Sequence, residues 1–214
     1  MMETQVSFTE AVIAAFKTNN ADISQYVTIY DVKPALSPEQ IRELKAVTLE
    51  RPFHFKMFRT LIETGMTVDE IVNLKYGSID IVKNQVSVIA CAAWEPRSRY
   101  ATRQIPVDST LIDLLLSNPG SRDAYIFSVR GGKPYRKESV IYSIHQYAKR
   151  CPSIRIVMGT REIRRTYAYN EILKGTPLRI ITERLGHKDA TITLRFMFGV
   201  NIGSVAKIVN ATMA

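Results

Sequence analysis

The sequence predicts a mainly α fold that carries one small three-stranded antiparallel sheet, an α+β domain. Three observations predict it. Stretches of helical period with their own caps and stops recur along most of the 214 residues. The period becomes alternating only between Ser78 and Val107. The chain is also 46% hydrophobic, enough to bury a core of one domain with a small addition.

Residues 1–35 contain a short helix candidate, "FTEAVIAAFK", and then the β-branched "YVTIYDV". This stretch reads as an N-terminal appendage to a domain over residues 36–214. In "LSPEQIRELKAVTL" Ser37 suits the N-cap, Pro38 the first helical position and Gln40 the return half of a capping box. A second helix fills "FHFKMFRTLIET" and stops at Gly65, after which Thr67 and Glu70 cap a third. Two strands lie around the turn "KNQ" in "SIDIVKNQVSVIACA", and "TRQIPV" supplies a third. Helices resume at "STLIDLLLSN", "KESVIYSIHQYAKR", "TREIRRTYAYNEILK", "PLRIITERL" and "ATITLRFMF"; Gly175 and Gly186 close two of them, and a terminal "IGSVAKIVNATM" follows.

Charge is distributed unevenly. Residues 1–94 hold 9 basic and 11 acidic side chains, whereas residues 95–214 hold 20 basic and 9 acidic, a net +11. Such asymmetry predicts a face for polyanions, because Lys and Arg beside phosphates release condensed counterions; a merely solvated basic surface is the alternative. The absence of an apolar run of about 20 residues, and of a basic start followed by an apolar block, predicts a soluble, cytoplasmic protein with no membrane segment. Cys91 and Cys151 follow no metal or redox spacing, and His54, His145 and His187 are scattered. Free thiols, no metal and no cofactor are expected.

The order of these pieces resembles the catalytic domain of the tyrosine recombinase (phage integrase) family, from about Leu36 to Val200. "ALSPEQIRELKAV" resembles the family's opening helix, and "ETGMTVDEIVNLKYGSIDI" its TG-x-R-x-x-E block. "TRQIPVD" is similar to the strand that ends the sheet, "REIRRTYA" to the H-x-x-R-R box, and "ERLGHKDATITLRF" to the L-G-H box, whose tyrosine follows the histidine by nine residues. The resemblance implies attack by a tyrosine on a DNA phosphodiester, giving a 3′-phosphotyrosyl intermediate and a free 5′-hydroxyl. Two arginines would clamp the phosphate as charge builds in the transition state, a lysine and histidines would assist proton transfer, and no metal is required.

Carried over residue by residue, the pattern keeps little of this apparatus. The first arginine falls on Thr67, which caps a helix but cannot grip a phosphate bidentately. The histidine of the H-x-x-R box falls on Arg161, useless as a base at neutral pH. The second arginine is Arg164 and the L-G-H histidine is His187. The nucleophile's place falls on Phe196, which has no hydroxyl. No lysine stands in the sheet loop, where Arg97 or Arg99 occupies the space. Tyr167 and Tyr169 share a helix with Arg164 and read as core aromatics.

At i, i+3 and i+4 of one helix, Arg161, Arg164 and Arg165 repel one another unless an anion lies between them. Glu162 reads as pointing to another side, so DNA phosphate is the natural partner, with a solvated or internally paired face as the alternative. His187 is open to two roles, donating to a phosphate or satisfying a backbone carbonyl. Phe196 reads as packing of an amphipathic helix, with contact to a base or sugar as the alternative. Lys188 and Arg195 belong near the same surface. The loop with Trp94, Arg97, Arg99, Tyr100 and Arg103 suits a hairpin lying on DNA, and Arg130, Lys133, Arg136 and Lys137 precede a helix N-terminus that favours phosphate.

The resemblance therefore implies a catalytically inactive protein that binds double-stranded DNA in a regulatory, architectural or DNA-maintenance role. Two alternatives stay open: a recombinase whose nucleophile is substituted or supplied otherwise, and a protein-interaction module on the same fold. The 35 leading residues are too few for the separate helical domain with which the family closes its clamp on DNA. Half the grip is then expected to come from elsewhere. The C-terminal segment "VNIGSVAKIVNATMA" is apolar enough to dock on a second copy or a partner protein, and packing in cis fits equally well.

Overall fold

The computed structural model describes residues 2–21, 33–89, 102–199 and 209. Its elements are helices α1 (Met2–Asn19), α2 (Pro38–Thr48), α3 (Pro52–Thr64) and α4 (Val68–Val72), strands β1 (Ile79–Asp80), β2 (Gln85–Val88) and β3 (Arg103–Pro106), and helices α5 (Ser109–Leu115), α6 (Lys137–Lys149), α7 (Thr160–Leu173), α8 (Leu178–Leu185) and α9 (Ala190–Phe198). The fold is mainly helical with a three-stranded antiparallel sheet in the order β1-β2-β3. Val86 pairs with Ile79 on one side and Ile105 on the other, which stacks apolar side chains on the sheet's inner face.

Local chemistry sets the helix ends. Ser37 accepts from the Gln40 N–H while the Gln40 side chain accepts from the Ser37 N–H, and Thr67 with Glu70 repeats this box at α4. Asp108 and Asp189 cap α5 and α9 through their carboxylates. Gly65 ends α3 at φ +62°, and a Cβ there would meet Tyr167 Cδ1 at 2.4 Å, so both the backbone and the packing require glycine.

Two buried clusters meet along α7. The first gathers Leu44, Met57, Phe58, Ile71, Val86, Ile105, Ile112 and Ile144 around the sheet and α2–α6, and reaches Ile163 of α7. The second joins Tyr167, Tyr169 and Ile172 of α7 to Ile181, Leu185 and Leu194 of α8 and α9. Val12 and Phe16 of α1, both fully buried, complete it. Asn19 donates to the Ile172 carbonyl at 2.7 Å, and Asn20 Oδ1 accepts from the Leu178 N–H at 2.9 Å.

The stretch expected as an appendage therefore supplies core, because an 18-residue helix with an apolar stripe finds its partner more than 150 residues along the chain. The β-branched "YVTIYDV" stretch and all of the terminal segment except Val209 lie outside the described residues. Val209 is fully buried in the second cluster, so at that residue the segment packs in cis. Among the described residues no helix is long and apolar enough to cross a membrane.

Candidate functional site

α4, β3, α7 and the α8–α9 turn converge on one centre, where two helices end. The carbonyls of Gly65, closing α3, and of Leu185, the last residue of α8, leave the partial negative charge of two helix C-termini in the same place. Arg164 answers both: Nη1 donates to the Gly65 carbonyl at 2.6 Å and Nη2 to the Leu185 carbonyl at 2.9 Å. Arg103 adds Nε to the Arg184 carbonyl at 2.6 Å and grips Glu70 bidentately at 2.7 and 3.0 Å. Its side chain is 2% exposed. Glu70 also accepts from the Thr67 N–H at 2.8 Å. Burial pushes the Glu70 carboxyl up, but the hydrogen bonds and charge of Arg103, the charge of Arg164 and the Thr67 amide outweigh it and hold the group below the ordinary value. Burial, reinforced by Arg103, brings the Arg164 guanidinium down to about 10 against the pull of Glu70, so it remains charged at neutral pH.

His187 continues this network. Arg164 Nη2 lies 3.2 Å from Nε2, and a guanidinium can only donate, so Nε2 is the acceptor and Nδ1 carries the proton. Nδ1–H then donates to Thr193 Oγ1 at 2.9 Å, and the Thr193 hydroxyl donates to Thr182 Oγ1 at 2.8 Å. Both threonines are buried. Burial first, then the positive charges of Arg164 and Arg103, lower the His187 pKa to about 3, so the ring is neutral at any physiological pH. In this structure the two ring nitrogens of His187 face Arg164 and Thr193, 23 and 6 residues away in sequence.

A different set of side chains faces outward. Phe196, nine residues after His187, is 44% exposed, with its ring centroid 6.5 Å from that of His187. The Arg161 guanidinium lies 5.7 Å from the Phe196 centroid. Expected packing in the core is therefore corrected, since Ala190, Thr193 and Leu194 form the inner face of α9 and leave Phe196 on its outer side. Arg161, Lys188 and Arg195 are exposed, and none of them forms an ion pair among the described residues. Tyr167 and Tyr169 are buried core aromatics as expected, and burial raises the Tyr167 phenol strongly.

Two further expectations change. Arg165 donates Nη1 to Glu162 at 2.9 Å and Nε to the Phe196 carbonyl at 2.9 Å, with an 11% exposed side chain, so Glu162 faces it rather than another side. The i, i+3 spacing was the available signal. Arg103 likewise leaves the candidate surface, because its charge is neutralised inside by Glu70. Sequence reasoning also missed Glu70 and Thr193 as members of the site.

Arg130, Lys133 and Arg136 are exposed on a turn held by the Val129 N–H to Lys133 carbonyl bond, with Gly131 and Gly132 at positive φ. Lys137 pairs with Asp69 of α4. This ties the start of α6, and the basic turn before it, to α4. Thr67 occupies the cap of that helix, its hydroxyl accepting from the Glu70 N–H at 3.2 Å. Trp94, Arg97, Arg99 and Tyr100 lie outside the described residues.

The family model described as "Phage integrase family" matches residues 24–197. The chain belongs to the phage integrase family. Curated relatives within it include a tyrosine recombinase XerD of Staphylococcus haemolyticus, 26% identical over 155 residues that make up 63% of this chain and 48% of that protein. A tyrosine recombinase XerC of Roseiflexus sp. is 27% identical over 185 residues, 76% of this chain and 54% of that one. The chain thus spans about half the length of the curated relatives it matches.

Among integrase-family structures, that of XerA recombinase superposes with a TM-score of 0.66 at 19% identity, over 78% of this chain and 60% of the other. The Tn1549 transposon integrase in complex with transposon right end DNA gives 0.64 at 16%, over 86% and 68%. At these identities the likeness is one of fold: the catalytic domain of a tyrosine recombinase.

Proposed function

We propose that this chain binds double-stranded DNA without cutting it, through the surface around Phe196 and the turn that carries Arg130, Lys133 and Arg136. One observation carries the reading: the place of the family's nucleophile holds an exposed phenyl ring beside His187 and Arg161, so the position is kept and the reactive oxygen is absent. Two more support it. Thr67, in place of a clamp arginine, caps α4, and Arg164 turns its fork on two helix ends and His187. Losing one preorganised donor commonly costs about 3 kcal/mol of transition-state stabilisation, and several are missing together.

The basic patches supply the electrostatic part of DNA binding. Solved relatives bind DNA: the Tn1549 integrase is seen with transposon right end DNA and the XerH site-specific recombinase with its difH substrate. The DNA-binding unit is assigned to residues 36–214, with α1 bracing α7 and α8 from behind. A regulatory, architectural or DNA-maintenance role in association with cellular DNA follows from binding without cleavage.

The competing reading is a recombinase, which the names of the curated relatives favour. The test is to incubate the Phe196→Tyr variant with a nicked duplex and look for a covalent protein–DNA adduct on a denaturing gel. No adduct is expected, because the hydroxyl returns to a site whose clamps are still absent. An adduct would make the chain an enzyme lacking one oxygen.

A further inference from the structure

Phe196 presents an apolar ring to solvent beside the exposed Arg161, an arrangement that phosphate binding alone does not call for. Among the residues with described side chains it is the exposed phenylalanine, whereas Phe16, Phe58 and Phe127 are buried. Its helix does not need it for the core, since Ala190, Thr193 and Leu194 already fill the inner face. The backbone beneath it is fixed by Arg165, whose Nε holds the Phe196 carbonyl at 2.9 Å, and Arg165 is itself held by Glu162. Beside the ring stands Arg161, whose guanidinium lies 5.7 Å from the centroid and has no acidic partner among the described residues. Lys188 precedes α9, Arg195 is the residue before Phe196 within it, and both are exposed.

An aromatic face next to a planar, unpaired guanidinium, on a chain with further exposed cations at Lys188 and Arg195, matches one chemistry well. A nucleobase stacks on the ring while its own phosphate and its neighbours' meet the cations. In an intact duplex every base is already stacked, and drawing one out is expensive; an unpaired base is available at little cost. The missing hydroxyl fits this use, since a phenyl offers a base an apolar face and offers a phosphate nothing to bind.

We propose that Phe196 and Arg161 form a stacking site for an unpaired base, so that the protein prefers DNA interrupted by a bulge or flap to perfect duplex. The inference rests on the reading that this face meets DNA.

The experiment compares two hairpin-capped duplexes, one perfect and one with a single bulged 2-aminopurine, titrated with the full chain at several salt concentrations. The bulged DNA should bind roughly tenfold more tightly, with a change in 2-aminopurine fluorescence that reports stacking. The Phe196→Ala variant should lose the fluorescence change and bind the bulged and the perfect duplex with equal affinity. Phe196→Trp should restore the preference and the fluorescence change, and thermal melts of the two variants confirm that they fold. Equal affinity of the wild-type protein for both duplexes, with ordinary salt-sensitive binding, would overturn the stacking site and leave the DNA-binding reading standing. A preference that survives in Phe196→Ala would overturn it as well. Failure to bind either duplex would remove the DNA-binding reading and this inference together.

Discussion

Arg164 and Arg161 stand one turn apart on α7, and the protein uses them in opposite ways. Around Arg164 the charges are matched inside: two arginines, one carboxylate, two helix C-termini and a neutral histidine, joined by bonds of 2.6–3.2 Å. Arg161 is unmatched and exposed beside the Phe196 ring, and Lys188 and Arg195 are likewise exposed without an ion pair among the described residues. The difference teaches that neighbouring residues of one sequence box can face opposite ways. In this structure the inner ones brace helix ends, and the outer Arg161 is open to a ligand.

The comparison can be broken first at its inner side. Arg103→Ala leaves Glu70 charged, buried and without its partner, and should destabilise the fold by about 3–5 kcal/mol in denaturant titrations. A Glu70→Leu/Arg103→Leu double variant should recover much of that loss, because the uncompensated charge goes with its partner. Duplex affinity of the folded Arg103→Ala fraction should be close to that of the wild-type protein.

Acid probes the same brace. The folded His187 sits at about 3 and the unfolded ring near its ordinary value of 6.5. The unfolded state therefore binds the proton first, and stability should fall by as much as about 1.4 kcal/mol per pH unit as pH drops from about 6.5 towards 3. Glu70, whose folded pKa is depressed, contributes stability above its unfolded pKa and loses it as pH falls through the folded one, adding to the decline below about pH 4.5. Thermal melts of a His187→Asn variant across this range should show a shallower slope between pH 6 and 4.

Thr193→Val asks whether the hydroxyl relay fixes the histidine. It leaves the His187 Nδ1–H and Thr182 short of a partner, and a loss of about 1–3 kcal/mol is expected in denaturant melts. The smallest effect on stability belongs to the outer set: Arg161→Ala, Lys188→Ala and Arg195→Ala should each stay within about 0.5 kcal/mol of the wild-type protein.

Much of the fold was legible because its signals are local. Ser37 and Thr67 cap helices from within four residues, and Gly65 and Gly186 stop them by adopting positive φ. The placing of α1 was not legible, since Val12 and Phe16 meet α7 across most of the chain. At the site, the absence of a hydroxyl at position 196 and the basic bias could be read directly. The pairing of Arg103 with Glu70 could not, because 33 residues separate them and Arg103 reads in sequence as one of a run of loop arginines. Nor could the exposure of Phe196, as in "LRFMF" it stands among the apolar Leu194, Met197 and Phe198 with Arg195 as the one polar residue. Arg165 differs: Glu162 stood three residues away, and the helical spacing was enough to pair them.

The division between brace and binding surface is tested most directly by the salt dependence of duplex affinity for the wild-type protein and the Arg161→Ala/Lys188→Ala/Arg195→Ala triple variant. If these three side chains meet phosphates, the slope of log affinity against log salt should become shallower by about 2 to 3 in the variant, near 0.9 for each contact removed, with stability almost unchanged. An unchanged slope with binding intact would place the DNA elsewhere on the molecule and contradict the account.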